Sequence, residues 1–285
     1  MSEVLRSPTE ENALAVARLA SQHSPEPATE DEVRRDWLAP GFELEHDARL
    51  DDAAYVAVDA FGDGRVWIDV HGHPSSEMIE WGEARARQKG SRLLSGGWTS
   101  NEALLAELDQ HGFQPIRHSH RMRIDLSRPA SAPIWPEGIG VRTFRPGDER
   151  GFYETHQETF RDSWEPIEES YDEWAHWALE PSVLVPDLWF LALAADEPAG
   201  LAICNPSPGA PKLGRVQVLG VRRPWRKRGV GRALLLHAFA EFRHRGLKGA
   251  VLGVDAESNT GANRLYEQAG MHVAARFDIY EKAVE

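Results

Sequence analysis

A six-position pattern, four of its residues identical, recurs at one interval in this chain, and that recurrence limits the fold more than any other feature. Leu94, Ser100, Asn101, Leu104, Leu108 and Gly112 stand 158 positions before Leu252, Ser258, Asn259, Ala262, Tyr266 and Gly270. The pattern Asn-x-x-(small or apolar)-x-x-x-(apolar)-x-x-x-Gly thus occurs twice, each time ahead of a closing strand. Between the copies, Ser127 to Pro136 places three prolines among small residues, which suits neither a helix nor a central strand. The chain divides into residues 1–128 and 138–285, each long enough for its own core.

Both halves alternate strand and helix signals. Ser7-Pro8-Thr9-Glu10 and Thr29-Glu30-Asp31-Glu32 read as helix starts, the second as a capping box. Strands are expected over 54–60, 65–70, 92–95 and 113–126, with helices over 75–89 and 101–111. In the second half, strands are expected over 141–144, 188–194, 199–204, 215–221, 250–254 and 271–282. Helices are expected over 148–160, 168–179, 229–245 and 259–269.

A formal net charge of −13 argues against non-specific nucleic-acid or membrane-surface binding, because both partners are anionic. The single cysteine, Cys204, excludes an intrachain disulfide. There is no apolar run of membrane-spanning length and no basic n-region at the start, so a cytoplasmic protein is expected.

Against this acidic background, six of the eleven residues from Arg222 to Arg232 are basic and none is acidic. They follow a strand ending at Val221 and precede an apolar helix opened by Gly229 and Gly231. Glycines allow close backbone approach, and a helix's first-turn N–H groups point outward. With the arginines they form either a phosphate site or a solvated basic turn. The Rossmann pattern and the Walker lysine are both missing. Arg226-x-x-Gly229-x-Gly231, after Val221-x-x-Pro224, resembles the acetyl-coenzyme A loop of the GCN5-related N-acetyltransferase (GNAT) family. Asn259-x-x-Ala262-x-x-x-Tyr266-x-x-x-Gly270-Met271 resembles that family's second motif. The duplicated layout is similar to tandem members of the mycothiol synthase-like type.

The resemblance implies an α/β (α+β) fold of two tandem domains, each a mixed, mostly antiparallel sheet flanked by helices. It implies acetyl-CoA as co-substrate, no metal, and a small-molecule amine as acceptor. Lys227, Arg228, Gly229, Val230, Gly231 and Arg232 would hold the pyrophosphate. Leu219, Gly220 and Val221 would splay from the next strand and pair with the pantetheine arm and the acetyl carbonyl. Asn259 either caps the next helix or bonds the pantetheine. Tyr266 is a general acid for the departing thiolate or a core aromatic.

Many members carry a Glu on the strand that meets the coenzyme. Here Val216 to Gly220 contains no acid, so Asp162, His156, Glu158 or water must take the amine proton, with Asp162 ranked first. Nine acids between Glu154 and Glu180 form either a wall attracting a cationic or amino-sugar acceptor or a solvated helix face. In the first half the loop reads Val70-His71-Gly72-His73-Pro74-Ser75, and Leu108 stands where Tyr266 does. That half is expected to lack catalysis. His71-x-His73 and His118-x-His120 have no partners at metal-ligand spacing. The reading is an N-acetyltransferase; the alternative is a non-catalytic acyl-CoA sensor or interaction protein.

Overall fold

A computed structural model of the chain describes residues 5–61, 63–128, 131–164, 166, 169–181 and 183–283. In chain order the elements are α1 (Ala13–Ser21), α2 (Glu30–Trp37), α3 (Leu44–Asp47), β1 (Ala48–Leu50), β2 (Ala54–Ala60), β3 (Arg65–Gly72), α4 (Ser76–Lys89), β4 (Arg92–Trp98), α5 (Glu102–Gln110) and β5 (Gln114–Asp125). Then follow β6 (Ile139–Thr143), α6 (Glu149–Phe160), α7 (Tyr171–Ala178), β7 (Trp189–Ala194), β8 (Glu197–Ser207), β9 (Ala210–Val221), α8 (Val230–His244), β10 (Gly249–Asp255), α9 (Ala262–Gln268) and β11 (His272–Ala283).

The capping box at Thr29 forms: its hydroxyl accepts from the Glu32 N–H at 3.2 Å, and Glu32 accepts from the Thr29 N–H at 3.0 Å. Ahead of α1 a 3-10 turn, Glu10–Asn12, has Thr9 rather than Ser7 as its N-cap, and the Ser7 hydroxyl donates to the Glu45 carbonyl instead.

Two compact units result: Met1–His120 with Ala275–Glu285, and Arg121–Ala274. The division therefore falls earlier than residue 128, and the end of the chain returns to the first unit. The first unit's sheet runs β1-β2-β3-β4-β11, antiparallel except at β3–β4. Alternation along β2 and β3 sends Val56, Val58, Val66, Ile68 and Val70 into a core with α4 and α5, while Tyr55 and Ala57 meet α1 and α2 on the other face.

In the second unit the order is β6-β7-β8-β9-β10 with the end of β5 beyond β10. Successive pairs from β6 to β9 are antiparallel, and β9–β10 is parallel. On one face α8 and α9 pack over Ala202, Cys204, Val216, Ala250 and Leu252. On the other, Phe152 of α6 and Trp174 of α7 pack over Trp189, Leu201, Ile203 and Val218.

Candidate active site

Parallel pairing of β9 with β10 covers Gly249↔Leu213, Ala250↔Gly214 and Val251↔Arg215 and then stops, although β9 continues to Val221 and β10 to Asp255. The strands part there, so the edge of β9 from Val216 to Val221 keeps backbone groups without a ladder partner on that side. A bulge helps to drive the parting. Against β8 the register shifts between Ile203↔Val218 and Cys204↔Val216, leaving Gln217 extra, and a bulge bends and twists its strand. Gly220 matters for a second reason: the Thr159 side chain of α6 fills the place a Cβ would take. Helix α6 therefore rests directly on the end of β9.

The loop after β9 turns on left-handed backbone at Lys227 (φ 59°) and at Gly229 (φ 92°), the N-cap of α8. Among the described residues, no hydrogen-bond acceptor meets the backbone N–H of Lys227, Arg228, Gly229, Val230, Gly231 or Arg232. These amides stand at the positive end of a 15-residue helix.

The six cations of the loop divide into two sets. Arg222 binds Glu158 at 2.6 Å and Glu197 at 3.1 Å. Arg223 and Arg226 share Asp162, with Arg223 Nε at 2.8 Å and Arg226 Nη1 at 2.6 Å from Oδ2. Arg226 also donates to the carbonyls of Val221 at 3.0 Å and Thr159 at 3.2 Å. This set ties the loop to the end of α6. Lys227, Arg228 and Arg232 have no carboxylate partner among the described residues; Arg228 lies over the Trp225 ring at 4.9 Å.

Gly231 acts differently from the sequence reading. A Cβ there would lie 3.2 Å from Leu265 Cδ1 and 3.3 Å from Val221 Cγ2. The glycine lets α8 sit close to β9 and α9, on the inside of the helix. Val230 is likewise buried in that core.

Tyr266 is 7% exposed, in the core beneath α8. Its hydroxyl has no hydrogen-bond partner among the described residues, and burial pushes its pKa up to about 12. Asn259 does not cap a helix. It is exposed, and α9 begins at Ala262 behind Gly261, whose φ of 83° supplies the turn. The loop is instead held by Asn263, which donates to the carbonyls of Asp255 at 3.0 Å and Ala256 at 3.1 Å. Sequence reading missed that residue; an amide one position inside a helix start was its only signal.

The proton acceptors considered from sequence also separate. Arg223 and Arg226 hold the Asp162 carboxyl far below the usual range, which makes it a poor base. Glu158 is occupied by Arg222. His156 has a buried Nδ1 with no hydrogen-bond partner among the described residues, and burial pushes its pKa down to about 4. Burial also drives the Cys204 thiol far up, so it is no nucleophile.

The first unit has a corresponding wedge, but its own side chains close it. The β3–β4 ladder ends at Ile68↔Ser95. Beyond it Ser95 Oγ donates to the Ile68 carbonyl at 2.8 Å, and Asn101 Nδ2 donates to the Gly72 carbonyl at 3.0 Å. Ser75 accepts the Met78 N–H at 3.3 Å, so a hydroxyl occupies the first turn of α4. Leu108 has no proton to give.

Comparison with known proteins places this geometry. The acetyltransferase (GNAT) family matches residues 150–271. A mycothiol acetyltransferase of Thermobispora bispora is 34% identical over 224 residues, covering 73% of this chain and 75% of the relative. The chain belongs to the GNAT acetyltransferase family. A mycothiol acetyltransferase of Salinispora arenicola is 34% identical over 222 residues, covering 71% of this chain and 68% of that one. The crystal structure of a GCN5-related N-acetyltransferase from Sphaerobacter thermophilus superimposes with a TM-score of 0.78 at 33% identity, over 98% of this chain and 95% of that one. A tandem GNAT protein from the clavulanic acid biosynthesis pathway shares the fold, with a TM-score of 0.72 at 14% identity, covering 98% of each chain. This GNAT protein is thus an acyltransferase with a duplicated GNAT fold. Among its described residues no helix is long and apolar enough to cross a membrane, and no group of three or more His, Cys, Asp or Glu is placed to hold a metal ion.

Proposed function

We propose that the second unit moves an acetyl group from acetyl-CoA to the primary amine of a small molecule, by direct attack in a ternary complex. One observation supports this above the rest. The unladdered edge of β9, the unbonded amides at the start of α8 and the unpartnered Tyr266 hydroxyl occur in one unit, and the first unit has closed or replaced each of them.

The residues fit the donor. The amides from Lys227 to Arg232, with the side chains of Lys227, Arg228 and Arg232, suit a pyrophosphate. The backbone of Leu219, Gly220 and Val221 suits an extended, amide-bearing arm that adds as a strand, and exposed Asn259 is available to the same arm. Acetyl-CoA supplies the activated acyl group when bound. A backbone N–H on the β9 edge stabilises charge developing on the acyl oxygen. Tyr266 donates a hydrogen bond to the leaving sulfur. Asp162 holds the loop, and the amine proton leaves through water. The relatives named mycothiol acetyltransferases support a small-molecule acceptor.

An acetylation assay over a panel of amines, reading free thiol release, tests the proposal. Turnover above background hydrolysis is expected with at least one amine. A protein that binds acetyl-CoA and acetylates none is a sensor instead.

A further inference from the structure

Helix α6 closes its side of the β9 edge with the Thr159 side chain. Leu219 and Val221 pack towards α8, so alternation turns Gly220 to the opposite face of the sheet. The buried stripe of α6 shrinks from Phe152 through Thr155 to Thr159, and opposite its small end the strand offers no side chain. A Cβ on Gly220 would fall inside the Thr159 hydroxyl and lie 2.7 Å from the Thr159 Cβ.

Thr159 is pinned in this position. It is 8% exposed, its Oγ1 donates to the His156 carbonyl at 2.9 Å, and its own carbonyl accepts from Arg226 Nη2 at 3.2 Å. Arg226 is held in turn by Asp162 and by the Val221 carbonyl. The side chain has no room to sink towards the sheet, and its backbone is tied to the loop.

We propose that Thr159 is a specificity-determining residue that limits the length of the acyl chain on the donor, so that acetyl is accepted and longer chains are penalised. The inference rests on the acetyl-transfer reading above. A thioester is planar, and the three groups on its acyl carbon spread evenly. With the oxygen on a β9 N–H and the sulfur towards Tyr266, on the α8 side of the sheet, the methyl points to the α6 side, against Thr159. A longer chain runs into the Thr159 methyl and hydroxyl. The reaction is otherwise unchanged: the amine nitrogen bonds the acyl carbon, the C–S bond breaks with its electron pair on sulfur, and the amine proton passes to water.

Calorimetric titration with acetyl-, propionyl- and butyryl-CoA tests this without an acceptor. The wild type is expected to bind butyryl-CoA at least ~10-fold more weakly than acetyl-CoA, with propionyl-CoA between. Thr159→Ala removes the obstructing atoms and introduces a better helix former; it is expected to shrink the ratio to about threefold or less. Thr159→Ser, a milder truncation that guards against a folding artefact, is expected to fall between. Thr159→Val, of nearly the same shape without the hydroxyl, is expected to keep the wild-type ratio. A wild type that binds all three chains alike overturns the proposal, as does a ratio that survives in Thr159→Ala or one that is lost in Thr159→Val. The same order is expected in kcat/KM with any amine that is acetylated. If none is acetylated, the acetyl-transfer reading fails on its own and the binding series still decides the role of Thr159. If no acyl-CoA binds, both fail.

Discussion

At the scale of single residues, burial decides what Tyr266 is able to do. A hydroxyl with its pKa at about 12 remains protonated at every pH the protein meets. Full transfer to a thiolate whose conjugate acid has a pKa of about 8.5 is uphill, so the hydroxyl acts as a hydrogen-bond donor to the sulfur as charge develops. Tyr266→Phe is expected to lower kcat by roughly 10- to 1,000-fold. Coenzyme affinity and thermal midpoint should hardly move, because the hydroxyl bonds none of the described residues. The basic limb of the pH–rate profile should keep its shape below about pH 11, since a group this far up does not titrate there. An unchanged kcat, with chemistry rate-limiting, returns Tyr266 to a packing role. Asp162 makes the opposite case. Asp162→Asn removes the charge that pairs Arg223 and Arg226 and leaves these two only the bond from Arg226 to the Thr159 carbonyl on α6, so the coenzyme KM should rise several-fold while the acid limb of kcat stays in place. A base at this position would instead show a collapse of kcat at unchanged KM.

At the scale of elements, α8 and β9 depend on Gly231 for their spacing. Contacts of 3.2 and 3.3 Å leave room for a methyl only if Leu265 and Val221 give way slightly. Gly231→Ala is therefore expected to cost little. Gly231→Val should cost about 1–3 kcal/mol by overpacking, read as a lower denaturation midpoint with weaker coenzyme binding following from it. Full stability with abolished binding would place the glycine against the ligand rather than against the core. Most of this geometry was legible in the sequence. Strand and helix positions followed from alternation and caps, and the glycine turn between β9 and α8 from its glycines and charge. Of the two readings of Asn259 the helix cap fails, because Gly261, two residues on, provides the cap by backbone conformation alone. The pairing of Asp162 with Arg223 and Arg226 joins residues more than 60 positions apart; the sequence shows an acidic stretch and a basic stretch but not which acid meets which arginine. The parting of β9 from β10 is a property of a ladder, which no single strand's pattern encodes.

At the scale of the whole molecule, the end of the chain serves the first unit. A strand's alternation is the same whichever sheet receives it, so β11 reads as the closing strand of its own half. Its residues from Phe277 to Ala283 pair instead with Trp98 to Arg92 of β4. Arg92 makes a two-point bond to Glu281 at 2.9 and 2.8 Å. Lys282 donates to both oxygens of buried Glu83, at 2.8 and 2.7 Å, and to the His111 carbonyl at 2.6 Å. Tyr280 joins the core beneath α4 and α5. A chain ending at residue 274 is therefore expected to lose cooperative unfolding of its first 120 residues, because β4 becomes a bare edge and Glu83 loses a cation inside the core. Lys282→Ala is the milder version. Arg87 still reaches Glu83 at 2.7 Å, so the loss should be about 1–3 kcal/mol rather than collapse. The fragment of residues 1–128 should likewise fail to show a cooperative transition alone and should gain one when a peptide of residues 272–285 is added, measured by tryptophan fluorescence, since Trp67 and Trp98 both pack on Phe277. A fragment 1–128 that unfolds cooperatively without the peptide would show that the first unit does not require the borrowed strand.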